Sequence, residues 1–155
     1  MAPGIIAIDV HNRSTLMRSD WFGTAIAHSG FMHSFLCTVA LHRYIFGKGS
    51  IARILYHRAQ AIAAVNAAIS GPEVGSRISD ANIGAVFNLL TVEESLQLPQ
   101  FEQSYLHEDQ LKQREIHMNG LNRMIQLRGG LVAIYTHRTL QAFILRCVIF
   151  CCCND

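Results

Sequence analysis

Apolar side chains recur at three- and four-residue steps in the first half of the chain, which is the spacing of helices that bury one face. In SGFMHSFLCTVALHRYIF, two adjacent stripes consist of Phe31, Phe35 and Val39, and of Leu36 and Tyr44. The glycines of GKG end this helix, and Ser50 is placed to cap the next one, SIARILYHRAQAIAAVNAAIS. We therefore predict two helices joined by a short link.

A third helix is predicted after the break GPEVGS, whose glycines and proline interrupt regular structure. Ser79 or Asp80 caps the segment ANIGAVFNLLTVEESLQL, and Pro99 closes it. Its buried face is expected to consist of Ile83, Val86, Phe87 and Leu90. The adjacent Glu93 and Glu94 are interpreted as part of a solvated face.

The stretch HMNGLNRMIQLRGGL has the pattern of a helix followed by its stop signal. After a polar loop at 100–109, we expect a helix from about Glu108 to Arg128. Its apolar stripe consists of Met118, Leu121, Met124 and Ile125. Gly129 and Gly130 supply the left-handed residues that end helices. Because a glycine inside a helix costs about 1 kcal/mol relative to alanine, we predict a close helix–helix contact at Gly120.

These elements predict an all-α fold of antiparallel helix pairs joined by short loops. Residues 1–20 are expected to be irregular, residues 21–140 to form a helical domain, and residues 141–155 to be an apolar, cysteine-rich tail. A chain of 155 residues suits one domain with a substantial core. No transmembrane helix is predicted, because Gln141 and Arg146 interrupt the most apolar run.

The composition is apolar for a soluble domain: half of the residues are hydrophobic and 15% are charged, where about a quarter is usual. This balance indicates a mostly buried helical protein or an exposed interface. The net charge of +2 is too small and too evenly spread to indicate nucleic-acid binding. Five cysteines, four of them in the last nine residues, do not form a disulfide framework and favour a reducing compartment.

Two glycine-containing stretches were considered as phosphate sites. In a phosphate site the glycines precede a helix, whereas Gly129 and Gly130 follow one. GKGS at 47–50 does precede a helix, but it lacks the contiguous Gly-Lys-Ser/Thr and the earlier glycine of a nucleotide loop. We interpret it as a helix stop, a turn and an N-cap.

Metal and catalytic sites find little support in the spacing of the reactive residues. His33 and Cys37 could face one metal together with Cys147 and Cys151, but nothing indicates that the two segments meet. The eight histidines are scattered, and HED at 107–109 points three polar groups in different directions. We predict a protein that is not an enzyme and has no cofactor, catalytic residue or metal ligand.

The tail FCCCND is unusual because Cys151, Cys152 and Cys153 are adjacent. These cysteines could be lipidated beside an apolar helix. We favour an apolar tail or an artefact of gene prediction, since one acyl chain gives only marginal membrane binding and few basic residues support it.

Three segments in order give the chain a resemblance to a known family. HMNGLNRMIQLRGGL resembles a recurring run in the regulatory region of fungal-specific transcription factors, the zinc-cluster activators and repressors. The matching positions are His117, Gly120, Leu121, Met124, Ile125, Leu127, Arg128, Gly129 and Gly130. FMHSFLCTVALHRYIFGK is similar to the helix that opens that region, and YHRAQAIAAVNAAISGPEVGSRISDANIGAVFNLLTVEES to the next two. The resemblance covers roughly Trp21 to Leu140.

The resemblance implies an all-helical regulatory domain of a nuclear transcription factor, without enzymatic activity. In that family a separate module of six cysteines and two zinc ions reads the DNA. No position here matches its ligands, because Cys37 is the only cysteine before Cys147. The expected role is therefore transcription regulation through protein partners or self-association, without direct contact to nucleic acid, as a fragment of the family's middle homology region.

Two other functions stay open from the sequence. The chain could be a small helical interaction protein unrelated to transcription, whose apolar surface mates with itself or another subunit. It could also be a membrane-surface protein held by its lipidated tail.

Overall fold

The computed structural model describes residues 21–96, 107–134 and 140–145, and within them all regular structure is helical. The helices are α1 (Gly23–Ala27), α2 (Ser29–Ile45), α3 (Ile51–Ser70), α4 (Val74–Arg77), α5 (Asp80–Leu96) and α6 (His107–Arg128). A 3-10 turn follows at Leu131–Ile134, and residues 140–145 are helical. The predicted all-α class is confirmed for these residues. The predicted irregular segment 1–20, Pro99 and residues 146–155 of the predicted tail lie outside them.

Helices α2 and α3 form an antiparallel hairpin. Contacts between the two helices pair Cys37 with Ile54 and His33 with His57. Residue numbers therefore increase along one helix as those of the contacting residues decrease along the other, which is the antiparallel direction. The same register places Gly30 against Val65, where a Cβ on the glycine would lie 3.4 Å from the valine Cγ2. Small residues along the buried side of α2 let the two helix axes approach closely.

The buried face of α2 differs from the predicted stripes. Val39 and Tyr44 are 38% and 36% exposed, although Phe31 is fully buried as expected. The buried residues are Gly30, Phe31, Ser34, Cys37, Ala40 and Leu41. The prediction counted bulky apolar side chains, whereas α2 lies between α3 and α5 and turns mostly small residues toward them.

Helix α5 is the central element, because it contacts α2, α3 and α6. The four residues of its predicted face, Ile83, Val86, Phe87 and Leu90, are all buried. Burial extends much further, however, and includes Ala81, Gly84, Ala85, Asn88, Leu89, Val92, Glu93 and Leu96. A helix that neighbours enclose on several sides needs no polar face. The apolar spacing in the sequence predicted one buried face and therefore missed the other buried residues of α5.

Helix α6 packs antiparallel to α5 and ends as a glycine stop. Arg128 at its end pairs with Asp80 at the start of α5, with 3.1 Å between Nη2 and Oδ1. The Gly130 N–H donates to the Ile125 carbonyl at 2.8 Å, and the Gly129 N–H to the Gln126 carbonyl at 3.1 Å. Both glycines have positive φ, 104° and 88°. This double hydrogen bond is the Schellman arrangement, the geometry that the helix-stop prediction requires.

The close contact predicted at Gly120 is not present in the described part of the chain. A Cβ at this position would meet no atom within 4 Å. The glycine that does meet a neighbouring helix closely is Gly84, where a Cβ would overlap the Phe31 ring and lie 3.0 Å from its Cδ2. The close contact thus lies on α5 and not on α6, because the position of a glycine along a helix does not reveal which side faces a neighbour.

The helix starts follow the predicted signals in part. The Ser79 hydroxyl accepts a hydrogen bond from the Asn82 N–H at 3.3 Å, which confirms this serine as a cap of α5. Ser50 occupies the position before α3, but its side chain makes no capping hydrogen bond. The N-terminal N–H groups of α3 are therefore not satisfied by that hydroxyl.

Candidate functional site

A buried ion pair joins α3 to α5 in the interior. Arg58 Nε donates to Glu93 Oε1 at 2.6 Å. The Glu93 side chain is fully buried, and that of Arg58 is 17% exposed. Glu93 was interpreted as part of a solvated face, and that interpretation is wrong. Burial raises the pKa of the Glu93 carboxyl, while the Arg58 guanidinium opposes this rise.

His117 of α6 completes the cluster from the third side. Its Nδ1 lies 3.9 Å from Glu93 Oε1, and the ring is 9% exposed. Burial and the neighbouring Arg58 charge lower the pKa of His117 to about 4, so the ring is neutral near pH 7. Among the described residues, neither His117 Nδ1 nor Glu93 Oε2 has a hydrogen-bond partner. The buried cluster of Arg58, Glu93 and His117 therefore retains unused hydrogen-bonding capacity.

Cys37 of α2 lies near the same cluster. Its Sγ–H donates to the Ile54 carbonyl at 3.3 Å, and the residue is fully buried. Burial, reinforced by Glu93 and opposed by Arg58, raises the pKa of the thiol to about 12. Cys37 is thus a neutral, unreactive thiol that fills space in the core.

The buried cluster joins α3 to α5 through the Arg58–Glu93 ion pair and brings the neutral His117 ring of α6 against it. Removing one member of a buried pair leaves the other charge unpaired, so loss of Arg58 or Glu93 should destabilise the packing of α3 against α5. The sequence carried a signal for it that was missed. Glu93 comes three residues after Leu90, at the end of the mostly apolar stretch from Ala85 to Val92, and Leu96 follows one helical turn later. A carboxylate inside such a run is more easily explained by a buried partner than by solvent.

Several of the residues that carry the family resemblance lie on the side of α6 that faces α5. His117, Leu121 and Met124 are buried and recur at helical spacing toward α5. Arg128 continues the same face with its ion pair to Asp80. Leu127 is different, because it is apolar and yet 55% exposed. Most of this motif therefore packs α6 against α5 and ends α6 at the two glycines.

The metal set considered from the sequence is not assembled in the described residues. His33 Nδ1 lies 3.1 Å from His57 Nδ1, a hydrogen bond between imidazoles, while Cys37 points to a carbonyl. No group of three or more metal-ligating side chains occurs in that part of the chain. Cys147 and Cys151 lie outside it.

The link between α2 and α3 borders a solvent-open cavity of about 300 Å³. Its lining consists of Arg43, Gly47, Lys48, Gly49, Ser50 and Arg53. All six residues are exposed. The GKGS stretch thus forms the helix stop and turn that were predicted, with cationic side chains around it.

The described helices include none whose length and apolar character would let it cross a membrane. No family model matches the chain, and no curated protein or solved structure matches it either.

Proposed function

We propose that this chain is a helical interaction domain that regulates transcription through protein partners and has neither catalytic activity nor its own DNA-binding module. The observation that carries the binding role is the set of large apolar side chains left in solvent. Val132 is 81% exposed, Ile26 78%, Phe46 57% and Leu127 55%. A protein partner that covered these side chains would remove their apolar surface from water, which is favourable.

The transcriptional setting rests on the resemblance to the regulatory region of fungal-specific transcription factors. The matching segments fall on α2, α3, α5 and α6, which are the helices that pack together in this structure. The motif on α6 contains residues that pack against α5 and the glycines that end the helix. Its exposed Leu127 lies on the opposite, solvent-facing side of α6. A regulatory domain of this kind acts in the nucleus by presenting that face to a partner.

A reporter assay tests the proposal. The full chain is fused to an unrelated DNA-binding module and expressed in fungal cells with a reporter bearing that module's target sequence. We expect reporter output to change several-fold relative to the module alone. A test variant carries Leu127→Ser and Val132→Ser, which remove exposed apolar groups without opening the core, and it should return the output toward baseline.

Three results would count against the proposal. If the fusion is present in the nucleus at normal levels and reporter output is unchanged, the result would favour the alternative of an interaction protein unrelated to transcription. Tight, salt-dependent binding of a promoter duplex by the unfused chain would contradict the absence of direct DNA contact. Movement of the chain out of the membrane fraction on deletion of Cys151–Asp155 would favour the lipid-anchored alternative.

A further inference from the structure

Charge is less evenly spread along the chain than the net value suggests, because acidic residues are absent from one long segment. Residues 21–72 contain no aspartate or glutamate, and their four strong cations are Arg43, Lys48, Arg53 and Arg58. Arg58 is neutralised inside the protein by Glu93. The other three surround the cavity at the α2–α3 link, and no ion pair joins them to a carboxylate of the described residues. We call residues 42–53 the hairpin tip.

The backbone of the hairpin tip is held in place. The Lys48 N–H donates to the Arg43 carbonyl at 2.8 Å, and Arg43 Nη2 donates to the Lys48 carbonyl at 3.2 Å. Gly47 has a φ of 68°, and a Cβ on Gly49 would lie 2.9 Å from the Tyr44 nitrogen. Lys48 therefore stands on a backbone turn held by hydrogen bonds, and Arg53 lies in the first turn of α3. Because this backbone is already ordered, binding a partner costs less conformational entropy.

Apolar surface lies directly beside these cations. Phe46 is 57% exposed and Ile45 is 45% exposed, immediately before the turn. The Phe46 ring lies against that of His42, with 4.7 Å between centroids. The hairpin tip thus presents an aromatic and an aliphatic side chain next to three cationic groups. A bare phosphate would use the cations and leave this apolar surface in water.

We propose that the hairpin tip binds an acidic amphipathic segment of a partner protein. Carboxylates of that segment pair with Lys48, Arg53 and the free edge of the Arg43 guanidinium, whose planar fork suits them. The apolar face of the segment covers Ile45 and Phe46, as in other helix-on-surface complexes. This inference rests on the proposed function, for which it names a surface and the chemistry of the partner.

The test uses the full chain and a synthetic 18-residue peptide. The peptide carries Asp and Glu on one helical face and Leu and Phe on the other, with a fluorophore for anisotropy. We expect saturable binding that weakens with salt. Lys48→Glu and Arg53→Glu should each raise Kd at least tenfold, and Phe46→Ser at least threefold. The matched controls Arg123→Glu and Ile116→Ser change an exposed cation and a 51% exposed apolar residue of α6, away from the hairpin tip, and should leave Kd unchanged.

Several outcomes would overturn the proposal. Equal Kd values for the tip variants and the controls would remove the surface. Equal binding of a peptide whose Leu and Phe are replaced by Ser would reduce the interaction to charge alone. Tighter, Lys48-dependent binding of a DNA duplex or of phosphatidylserine vesicles would assign the surface to another class of partner. A concentration-dependent dimer that Lys48→Glu dissociates would make a second copy of the chain the occupant.

The reporter assay separates this inference from the function on which it rests. If the wild-type fusion alters transcription and Lys48→Glu and Arg53→Glu do not weaken that effect, the surface is wrong and the function stands. If the peptide binds at the hairpin tip but the fusion leaves the reporter unchanged, the surface stands and the transcriptional role fails. Circular dichroism of each variant verifies that the exposed substitutions leave the helical fold intact.

Discussion

Glu93 and Glu94 are neighbours in sequence with opposite environments. Glu93 is fully buried against Arg58, whereas the pair between Glu94 and Arg114 has both side chains about one-third exposed, at 33% and 37%. A buried pair that loses one partner leaves an uncompensated charge, whereas a surface pair contributes little because water and salt screen it. Two identical residue types one position apart therefore offer a direct comparison.

We expect Glu93→Gln to lower the free energy of unfolding by about 3 kcal/mol, because Arg58 keeps its charge without its partner. Glu94→Gln should lower it by less than about 1 kcal/mol. Urea denaturation followed by circular dichroism measures both. Equal losses for the two variants would show that the buried pair contributes no more than the surface pair.

The pKa of His117 leads to a pH-dependent contribution to stability. The folded-state pKa is about 4 and the ordinary value is 6.5, so between these pH values the unfolded chain binds more protons. The free energy of unfolding therefore falls as pH drops from 6.5 to 4, and this contribution vanishes above 6.5. The raised pKa of Glu93 acts in the opposite sense, because the folded state keeps that proton above pH 4.5.

We predict that His117→Asn flattens the loss of stability between pH 6.5 and 4 by on the order of 2–3 kcal/mol. The comparison is made as the difference between variant and wild type, so that other titrating groups cancel. Asn119→Ala, at an exposed position of α6 that does not titrate, serves as the control and should leave the slope unchanged. Parallel pH profiles for His117→Asn and wild type would show that His117 does not titrate differently on folding.

Among the elements, α5 is the helix around which the others are arranged. It receives α2 and α3 on its sides and α6 antiparallel to it, with polar contacts at both ends of the α5–α6 pair. Close approach of α2 depends on Gly84, while Gly120 lies in open space within the described residues. Glycine in a helix is thus used for packing at one position and carries only its entropic cost at the other.

The two glycines should respond to alanine in opposite directions. Gly84→Ala places a methyl group in the Phe31 ring, which is itself packed edge-on against Trp21 at 5.0 Å. We expect a loss of about 1–3 kcal/mol. Gly120→Ala should gain up to about 1 kcal/mol. Thermal denaturation measures both, and adding Phe31→Leu should recover part of the Gly84→Ala loss. Stabilisation by Gly84→Ala would contradict the close approach of α2 and α5.

The end of α6 provides a prediction about its stop signal. Gly130→Ala should cost about 1 kcal/mol because φ is positive there, and Gly130→Asn should cost less, since asparagine tolerates this region better. Gly130→Val, with its branched Cβ, should cost more than 1 kcal/mol. Hydrogen exchange of the Gly130 amide reports the Schellman bond directly. Equal stability of all three variants would remove the helix-stop account.

Across the whole molecule, two groups of buried apolar residues share the same helices. One surrounds Trp21, Phe31 and Leu90, and the other includes Leu41, Ile54 and Val92. Because α2 and α5 contribute to both groups, damage to one is transmitted to the other through continuous helices. The described helices should therefore unfold as one cooperative unit.

The single tryptophan makes this cooperativity measurable. Ile54→Ala removes a fully buried side chain from the second group and should cost about 2–5 kcal/mol. We expect the unfolding midpoints from Trp21 fluorescence and far-ultraviolet circular dichroism to shift together. A shift in circular dichroism with an unchanged Trp21 transition would show that the two groups unfold independently.

The order of residues over short stretches of the sequence was sufficient to predict the helices, their approximate ends and the glycine stop of α6. These features depend on residues within about five positions of each other, through the helical period, capping hydroxyls and the conformational freedom of glycine. The same reasoning placed Ser79 at the start of α5 and the turn at GKGS. The proposed role in transcription rests on sequence resemblance and stays a prediction until the reporter assay tests it.

Three features could not be predicted from local sequence. They are the burial of Glu93, the position of the close glycine contact and the cationic hairpin tip. Each depends on residues from different helices: Arg58 with Glu93, Phe31 with Gly84, and Arg43 with Arg53. A helical pattern states that one face is buried but not which neighbour covers it, and a central helix such as α5 is covered on several faces. Side-chain environment, and with it pKa and surface chemistry, emerged only when the helices were packed against each other.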